Sequence, residues 1–185
     1  MGIQPSYRYS FSSSSAQQLV SQLKSNLLWE RERLTMFGRD VLVPRQVAFI
    51  ADAGVCYRYS GKDHHGIGWP DWLLAIKEEA ESLAKQSFNA VLLNWYQDGG
   101  EYMGWHADDE KSLGPAPVVA MLSLGASRPF LFRLKANHQI KHSVELEDAS
   151  WLVMSASTQV LWQHSLPVRK RIKAERISLT FRLLL

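Results

Sequence analysis

The chain carries one cysteine, Cys56, in 185 residues. That excludes an internal disulfide framework and a cysteine-built zinc site. No apolar run approaches the roughly 20 residues that span a bilayer, so no membrane association is expected. The opening stretch MGIQPSYRYSFSSSS has no apolar centre, which argues against a secretory leader. These absences point to an intracellular protein, in the cytoplasm or nucleoid of a bacterium or the nucleus of a eukaryote. Neither sign of charge predominates. Twenty-one Lys and Arg against 18 Asp and Glu leave +3, too small an excess to name an anionic partner. A hydrophobic share of 46% with 21% charged residues excludes a wholly disordered chain. The length suits a single domain.

The charge that is present is unevenly placed. Arg169, Lys170, Arg171, Lys173 and Arg176 crowd together with only Glu175 against them. Asp98, Glu101, Asp108, Asp109 and Glu110 form an acidic block. Such a pair of blocks suits a phosphate-gripping rim around a cation-holding centre. On charge alone, two solvated loops are the simpler reading.

Two helices are predicted. Leu19, Val20, Leu23 and Leu27 follow helical spacing over 16–28, with Ser15 and Gln18 as a capping box. Pro70 suits the first position of a second helix, whose stripe is Trp72, Leu73, Ile76, Ala80, Leu83 and Ala84. The remainder reads as short strands, at 47–50, 57–59, 90–96, 118–124, 130–134, 143–146, 151–154, 160–162 and 176–183. Many short strands with two helices predict a mostly β protein, a jelly roll or barrel with helices supporting one face. In the last strand Ile177, Leu179 and Phe181 alternate with Arg176, Ser178, Thr180 and Arg182. Its polar face either meets solvent or lines a polar cavity.

His106-Ala107-Asp108 places two metal-ligand types at i and i+2. On an extended chain both project to one side, about 6–7 Å apart at the backbone. With His164 they make two imidazoles and one carboxylate, the donor set of the facial triad that holds non-haem Fe(II) and leaves three positions open. A lone His-x-Asp is a weak signal, and His64, His65, His138 and His142 read as structural or solvated. Arg176 and Arg182 share a strand face roughly 20 Å apart when extended. Two guanidinium forks there suit a small dicarboxylate between them, although two surface arginines on an edge strand fit the pattern as well.

Taken together, Asn94-Trp95-Tyr96, Trp105-His106-Ala107-Asp108-Asp109-Glu110, His164-Ser165-Leu166-Pro167 and Arg176-Ile177-Ser178-Leu179-Thr180-Phe181-Arg182 resemble the AlkB family of Fe(II)- and 2-oxoglutarate-dependent nucleic-acid dealkylases. The order and wide spacing of the pieces carry the likeness. The stretches VPRQ, DAGVCYRYSG and LPVRKRIKAERISLTFR resemble its DNA-repair branch. The likeness runs from about Phe37 to Leu185. Residues 31–185 are thus expected to form the dioxygenase domain, and 1–30 an extension, partly disordered and then helical.

The resemblance implies a double-stranded β-helix (jelly roll). It also implies Fe(II), 2-oxoglutarate and O₂, with the metal on His106, Asp108 and His164. Asn94, Tyr96, Arg176, Thr180 and Arg182 would hold 2-oxoglutarate, Arg176 at the distal carboxylate and Arg182 nearer the iron. The ring at Tyr59 would sandwich a flipped base against His106. Tyr57, two residues before it, can face the same cavity, although both tyrosines also suit ordinary strand positions. Asp109 would contact the base, its charge favouring cationic lesions such as 1-methyladenine and 3-methylcytosine; Glu110 would orient its neighbours. Phe37 and Gly38 occupy the place of an apolar finger that fills the vacated stack, and a buried core Phe is an equal reading. Arg45 and the Arg169–Lys173 block would grip phosphates.

The activity implied is oxidative demethylation of N-alkylated bases in DNA, single- or double-stranded, and in RNA, by a monomer. The products are formaldehyde, succinate and CO₂. A base in a duplex must be flipped out to react. Cys56 needs no part in this chemistry. Two other readings compete: a 2-oxoglutarate-dependent oxygenase acting on a protein or small molecule, and a nucleic-acid-binding module with a relic metal site.

Overall fold

The computed structural model describes residues 13–31, 33–36, 39–59 and 62–185. The expected Phe37-Gly38 finger lies outside the described residues. The elements begin with α1 (Ser13–Asn26), the hairpin β1 (Arg33–Met36) and β2 (Arg39–Leu42), β3 (Gln46–Ala51), the hairpin β4 (Cys56–Tyr59) and β5 (Lys62–His65), and α2 (Asp71–Ala84). There follow β6 (Ala90–Tyr96), β7 (Met103–His106), β8 (Val119–Gly125), β9 (Arg128–Leu134), β10 (Asn137–Leu146) and β11 (Ser150–Met154). The chain closes with α3 (Ala156–Leu161), β12 (Trp162–Leu166) and β13 (Arg176–Arg182).

Two antiparallel sheets carry the fold. The larger runs β11-β8-β13-β6-β3 and the smaller β10-β9-β12-β7. Strand alternation builds two cores from the larger sheet. Val91 and Leu93 of β6, Ala120, Leu122 and Leu124 of β8, and Ile177, Leu179 and Phe181 of β13 turn toward the helices, where they pack with Ala16, Leu19 and Leu23 of α1 and Leu73, Ile76 and Ala80 of α2. Tyr96, Val119 and Met121 point the other way and meet Phe130, Phe132, Trp162 and Leu166 of the smaller sheet. The period of two therefore sorts each strand into a helix-facing apolar row and an inter-sheet row. This is the jelly roll, mostly β with helices backing one face.

Local chemistry explains the helix ends. Pro70 stands just before α2 in extended backbone, where its missing N–H costs nothing. The helix stops at Lys85, which takes a left-handed φ of 52°. Helix α1 starts at Ser13 rather than after Ser15, so Ser15 is not its cap. Its buried row joins the same core as the sheet. The segment 160–162, read as strand, divides differently: α3 runs to Leu161 and β12 begins at Trp162. A six-residue helix is too short to show helical periodicity, and β-branched Val160 suggests strand. No described helix is long and apolar enough to cross a membrane.

Candidate active site

The polar row of β13 is buried between the sheets instead of facing water. Arg176, Ser178, Thr180 and Arg182 are all buried and line one cavity with Asn94, Tyr96, His106, Asp108 and His164. Pairing sets their order. Arg176 lies opposite Tyr96 and Ser178 opposite Asn94 on β6, so the residues expected around 2-oxoglutarate share one wall.

The other wall carries the metal-ligand set. His106 ends β7 and is the register partner of His164 on β12. Their rings lie 4.2 Å apart, centre to centre. Asp108 follows just past the strand end, and its backbone N–H donates to Gln159 Oε1 at 3.0 Å. One ligand atom from each of His106, Asp108 and His164 lies within 4.8 Å of the others. His106 Nδ1 faces the Gly104 carbonyl at 2.9 Å, which fixes the tautomer that leaves Nε2 as a lone-pair donor.

Electrostatics keep these ligands ready. Burial works against charge on Asp108, but Arg182 and the two imidazoles outweigh it and hold the carboxyl down at about 2. Burial and the neighbouring His106 push His164 down to about 3, against the pull of Asp108. Arg182, buried but beside Asp108, Tyr57 and Glu110, is raised further above its ordinary value. Near neutral pH the set is one carboxylate and a neutral, buried His164.

Several buried polar atoms here lack a protein partner: Asp108 Oδ2, His164 Nδ1, and Arg182 Nε and Nη1. Leaving such atoms unmet costs about 1–3 kcal/mol each. A divalent cation on the nitrogen and oxygen donors, and an anion on the guanidinium, would satisfy them. Arg176 shows the same want. Its Nε donates to Ser123 Oγ at 3.0 Å, no carboxylate among the described residues pairs with it, and burial lowers it to about 10 despite Tyr96. Residues and group fit: His106, Asp108 and His164 for Fe(II), the arginines for a dicarboxylate.

Two expectations change. Arg45 is not a phosphate grip. It is 5% exposed, and its Nε donates to Asn94 Oδ1 at 2.6 Å. That contact uses the Asn94 carbonyl and frees its NH₂ to donate into the cavity. Tyr57 offers no face to a base. Its ring is fully buried, with Phe49 stacked 5.8 Å away and the Arg182 guanidinium 6.0 Å from its centre. Its hydroxyl donates to Glu110 Oε1 at 3.2 Å, so it orients Glu110. Tyr59 continues β4, and its side chain lies outside the described residues. Asp109 stands at the exposed side of the metal-ligand turn, paired with Lys135 Nζ at 2.8 Å. Arg169, Lys170, Arg171 and Lys173 are exposed as a rim needs.

Sequence reasoning passed over Gln159, Arg128, Ser123 and Lys135. Gln159 falls in the stretch between the expected strands 151–154 and 160–162, where no element is predicted. The others have no motif; only pairing across the sheets reveals them.

Comparison with known proteins agrees with this geometry. The model of the 2OG-Fe(II) oxygenase superfamily matches residues 6–182. The human DNA oxidative demethylase ALKBH2 is 35% identical over 194 residues, covering all of this chain and 74% of that protein. The Arabidopsis thaliana DNA oxidative demethylase ALKBH2 is 33% identical, covering 88% of this chain and 60% of its own. The mouse alpha-ketoglutarate-dependent dioxygenase alkB homolog 3 is 35% identical over 122 residues, covering 62% of this chain and 43% of its own. Among solved structures, a 2OG-Fe(II) oxygenase-family oxidoreductase from Burkholderia pseudomallei superposes with a TM-score of 0.62 at 14% identity, covering 93% of this chain and 79% of its own. The structure of OsALKBH1 gives 0.59 at 18%, covering 91% and 92%. With a matched model across almost its whole length and a His-Asp-His set, buried at Asp108 and His164, facing two buried arginines, the chain belongs to the 2OG-Fe(II) oxygenase superfamily, in its AlkB branch.

Proposed function

We propose that this protein is a DNA oxidative demethylase that removes N-linked methyl groups from bases such as 1-methyladenine and 3-methylcytosine. The observation that carries the reading is the shared cavity: a metal-ligand set on one wall and, on the other, Arg176 with no carboxylate partner among the described residues. Similarity to human ALKBH2 along all of this chain and 74% of that protein supports the substrate class.

Fe(II), 2-oxoglutarate and O₂ supply the oxidising power that converts the N-methyl group to a hemiaminal, which collapses to formaldehyde and the unmodified base. The chain's residues do the rest. His106, Asp108 and His164 hold the metal. Arg176, the Asn94 amide and Tyr96 take the distal carboxylate, and Thr180 completes that wall. Arg182 fixes Asp108 and would offer its Nε and Nη1 to the co-substrate. Asp109 lends negative charge at the mouth, which favours a cationic lesion over the neutral repaired base. Arg169, Lys170, Arg171 and Lys173 meet phosphates, giving salt-dependent affinity. The base enters flipped out or from a single strand. RNA presents the same base edges, and the proposed site is complete within one chain, which suits a monomer.

The test is aerobic incubation with Fe(II), 2-oxoglutarate and matched 1-methyladenine oligonucleotides, as DNA and RNA, single- and double-stranded. Formaldehyde release from DNA supports the reading. Succinate formed with a protein extract and never with any oligonucleotide overturns it.

A further inference from the structure

Arg128 opens β9 and is fully buried. Its hydrogen-bond partners are three backbone carbonyls: Asp98 at 3.2 Å, Glu101 at 3.0 Å and Pro167 at 2.8 Å. Its Nε has none. Burying a guanidinium on neutral partners is costly, and nothing in the metal-ligand set uses it.

The carbonyls belong to two loops. Asp98 and Glu101 lie between β6 and β7, where the chain passes from the cavity wall to His106. Pro167 opens the segment between β12 and β13, which carries Arg169, Lys170, Arg171 and Lys173. The two loops also join directly. Gly99 donates to the Ile172 carbonyl at 2.9 Å and accepts from the Arg169 N–H at 2.6 Å. A Cβ at position 99 would stand 1.9 Å from the Arg169 carbonyl oxygen, so the approach requires glycine. Arg128 braces this junction from within.

The same guanidinium lies 6.0 Å from the Tyr96 ring centre, and Arg176 lies 5.6 Å from that ring. Tyr96 and Arg176 line the cavity, whereas Arg128 is not among its lining residues. We propose that Arg128 is a positioning residue for the co-substrate: acting through Tyr96, it fixes the wall beside Arg176 and locks the basic loop to that wall. This rests on the 2-oxoglutarate part of the reading above and not on its nucleic-acid part. A lysine keeps the charge but loses the planar fork that reaches three carbonyls.

The test is titration of 2-oxoglutarate into the full chain loaded with Mn(II), without nucleic acid. Arg128→Lys should weaken binding on the order of tenfold, while kcat at saturating 2-oxoglutarate stays within about twofold. Trypsin should also cut the 168–175 segment faster. In a Tyr96→Leu background the Arg128→Lys effect on binding should largely vanish, because the two act as one unit. Unchanged affinity, or effects that simply add, would overturn the proposal. If Arg128→Lys does not fold, Tyr96→Leu alone decides: weaker 2-oxoglutarate binding with faster cleavage of the basic loop upholds it, and unchanged cleavage overturns it. A protein that binds 2-oxoglutarate in this Arg128-dependent way but spares every methylated oligonucleotide loses the proposed function and keeps this inference.

Discussion

Arg182 Nη2 donates to Asp108 Oδ1 at 2.9 Å, and both side chains are buried. The pair ties the last strand to the metal-ligand turn. It occupies one carboxylate oxygen and leaves Oδ2 without a protein partner, so the ion pair orients the ligand instead of competing for all of it.

Removing one partner of such a pair strands a buried charge, at a cost of about 3–5 kcal/mol. Arg182→Gln should therefore lower the stability of the metal-free protein by that order in urea unfolding. Asp108→Asn in the Arg182→Gln background should recover part of the loss, because no lone carboxylate remains. A double variant whose loss equals the sum of the singles would show that the pair carries no coupling.

Arg176 calls for a different measurement. It sits at the far end of β13 from Arg182, with Ser123 Oγ at 3.0 Å and Tyr96 beside it. Losing a charged hydrogen bond costs about 1.5–3 kcal/mol, or roughly 10- to 100-fold in affinity. Arg176→Gln should raise KM for 2-oxoglutarate by that factor and leave oligonucleotide affinity in place. An unchanged KM in a succinate assay would remove Arg176 from the carboxylate site.

Much of this site was legible because strands write their faces into sequence with a period of two. The alternation in β13 separated Ile177, Leu179 and Phe181 from Arg176, Ser178, Thr180 and Arg182, and the cores divide along that line. The His106-Ala107-Asp108 spacing named two ligands, and pairing with β12 placed the third. What stayed hidden depends on packing across sheets. Tyr57 shares the polarity of an open-pocket tyrosine, yet Phe49 and Arg182 enclose it. Arg45 reads as a surface cation, yet Asn94 holds it inside. Arg182 and Asn94 both lie far in sequence from the side chains they hold.

Acid should destabilise the metal-free protein in two stages. His164 is held down at about 3 from its ordinary 6.5, so between those values the unfolded chain takes up a proton that the native state refuses. Stability then falls as pH drops below about 6.5. Asp108 is held down at about 2 from 3.8, and its contribution is lost only at more acid pH, as its native carboxyl is protonated. Urea midpoints between pH 7.5 and 4.5 should fall steadily, and His164→Phe should flatten the slope. A midpoint independent of pH in that range would contradict the buried neutral imidazole.

Asp109 bears on lesion choice. Its side chain is more than half exposed, and its partner Lys135 is also within reach of water, so a cationic base can compete for the carboxylate at little cost. Asp109→Ala should slow turnover of 1-methyladenine relative to a neutral etheno adduct. Equal relative rates in competition assays would deny the carboxylate an electrostatic part in selection.

Gln159 tests whether the metal-ligand turn is set from outside the ligand trio. It is fully buried in α3. Its Oε1 accepts the Asp108 N–H at 3.0 Å, and its Nε2 faces Met154 Sδ at 3.7 Å. Gln159→Leu keeps similar bulk but leaves a buried N–H unmet, a loss of about 1–3 kcal/mol. The turn that presents Asp108 should loosen with it, and outer partners of metal ligands typically carry 10- to 100-fold in metal affinity. Fe(II) or Mn(II) titration of Gln159→Leu should show a loss in that range. Gln159→Glu, which retains the acceptor, should recover part of it. If the leucine variant loses stability alone and binds metal as tightly as the parent, then α3 only packs against the turn and does not aim it.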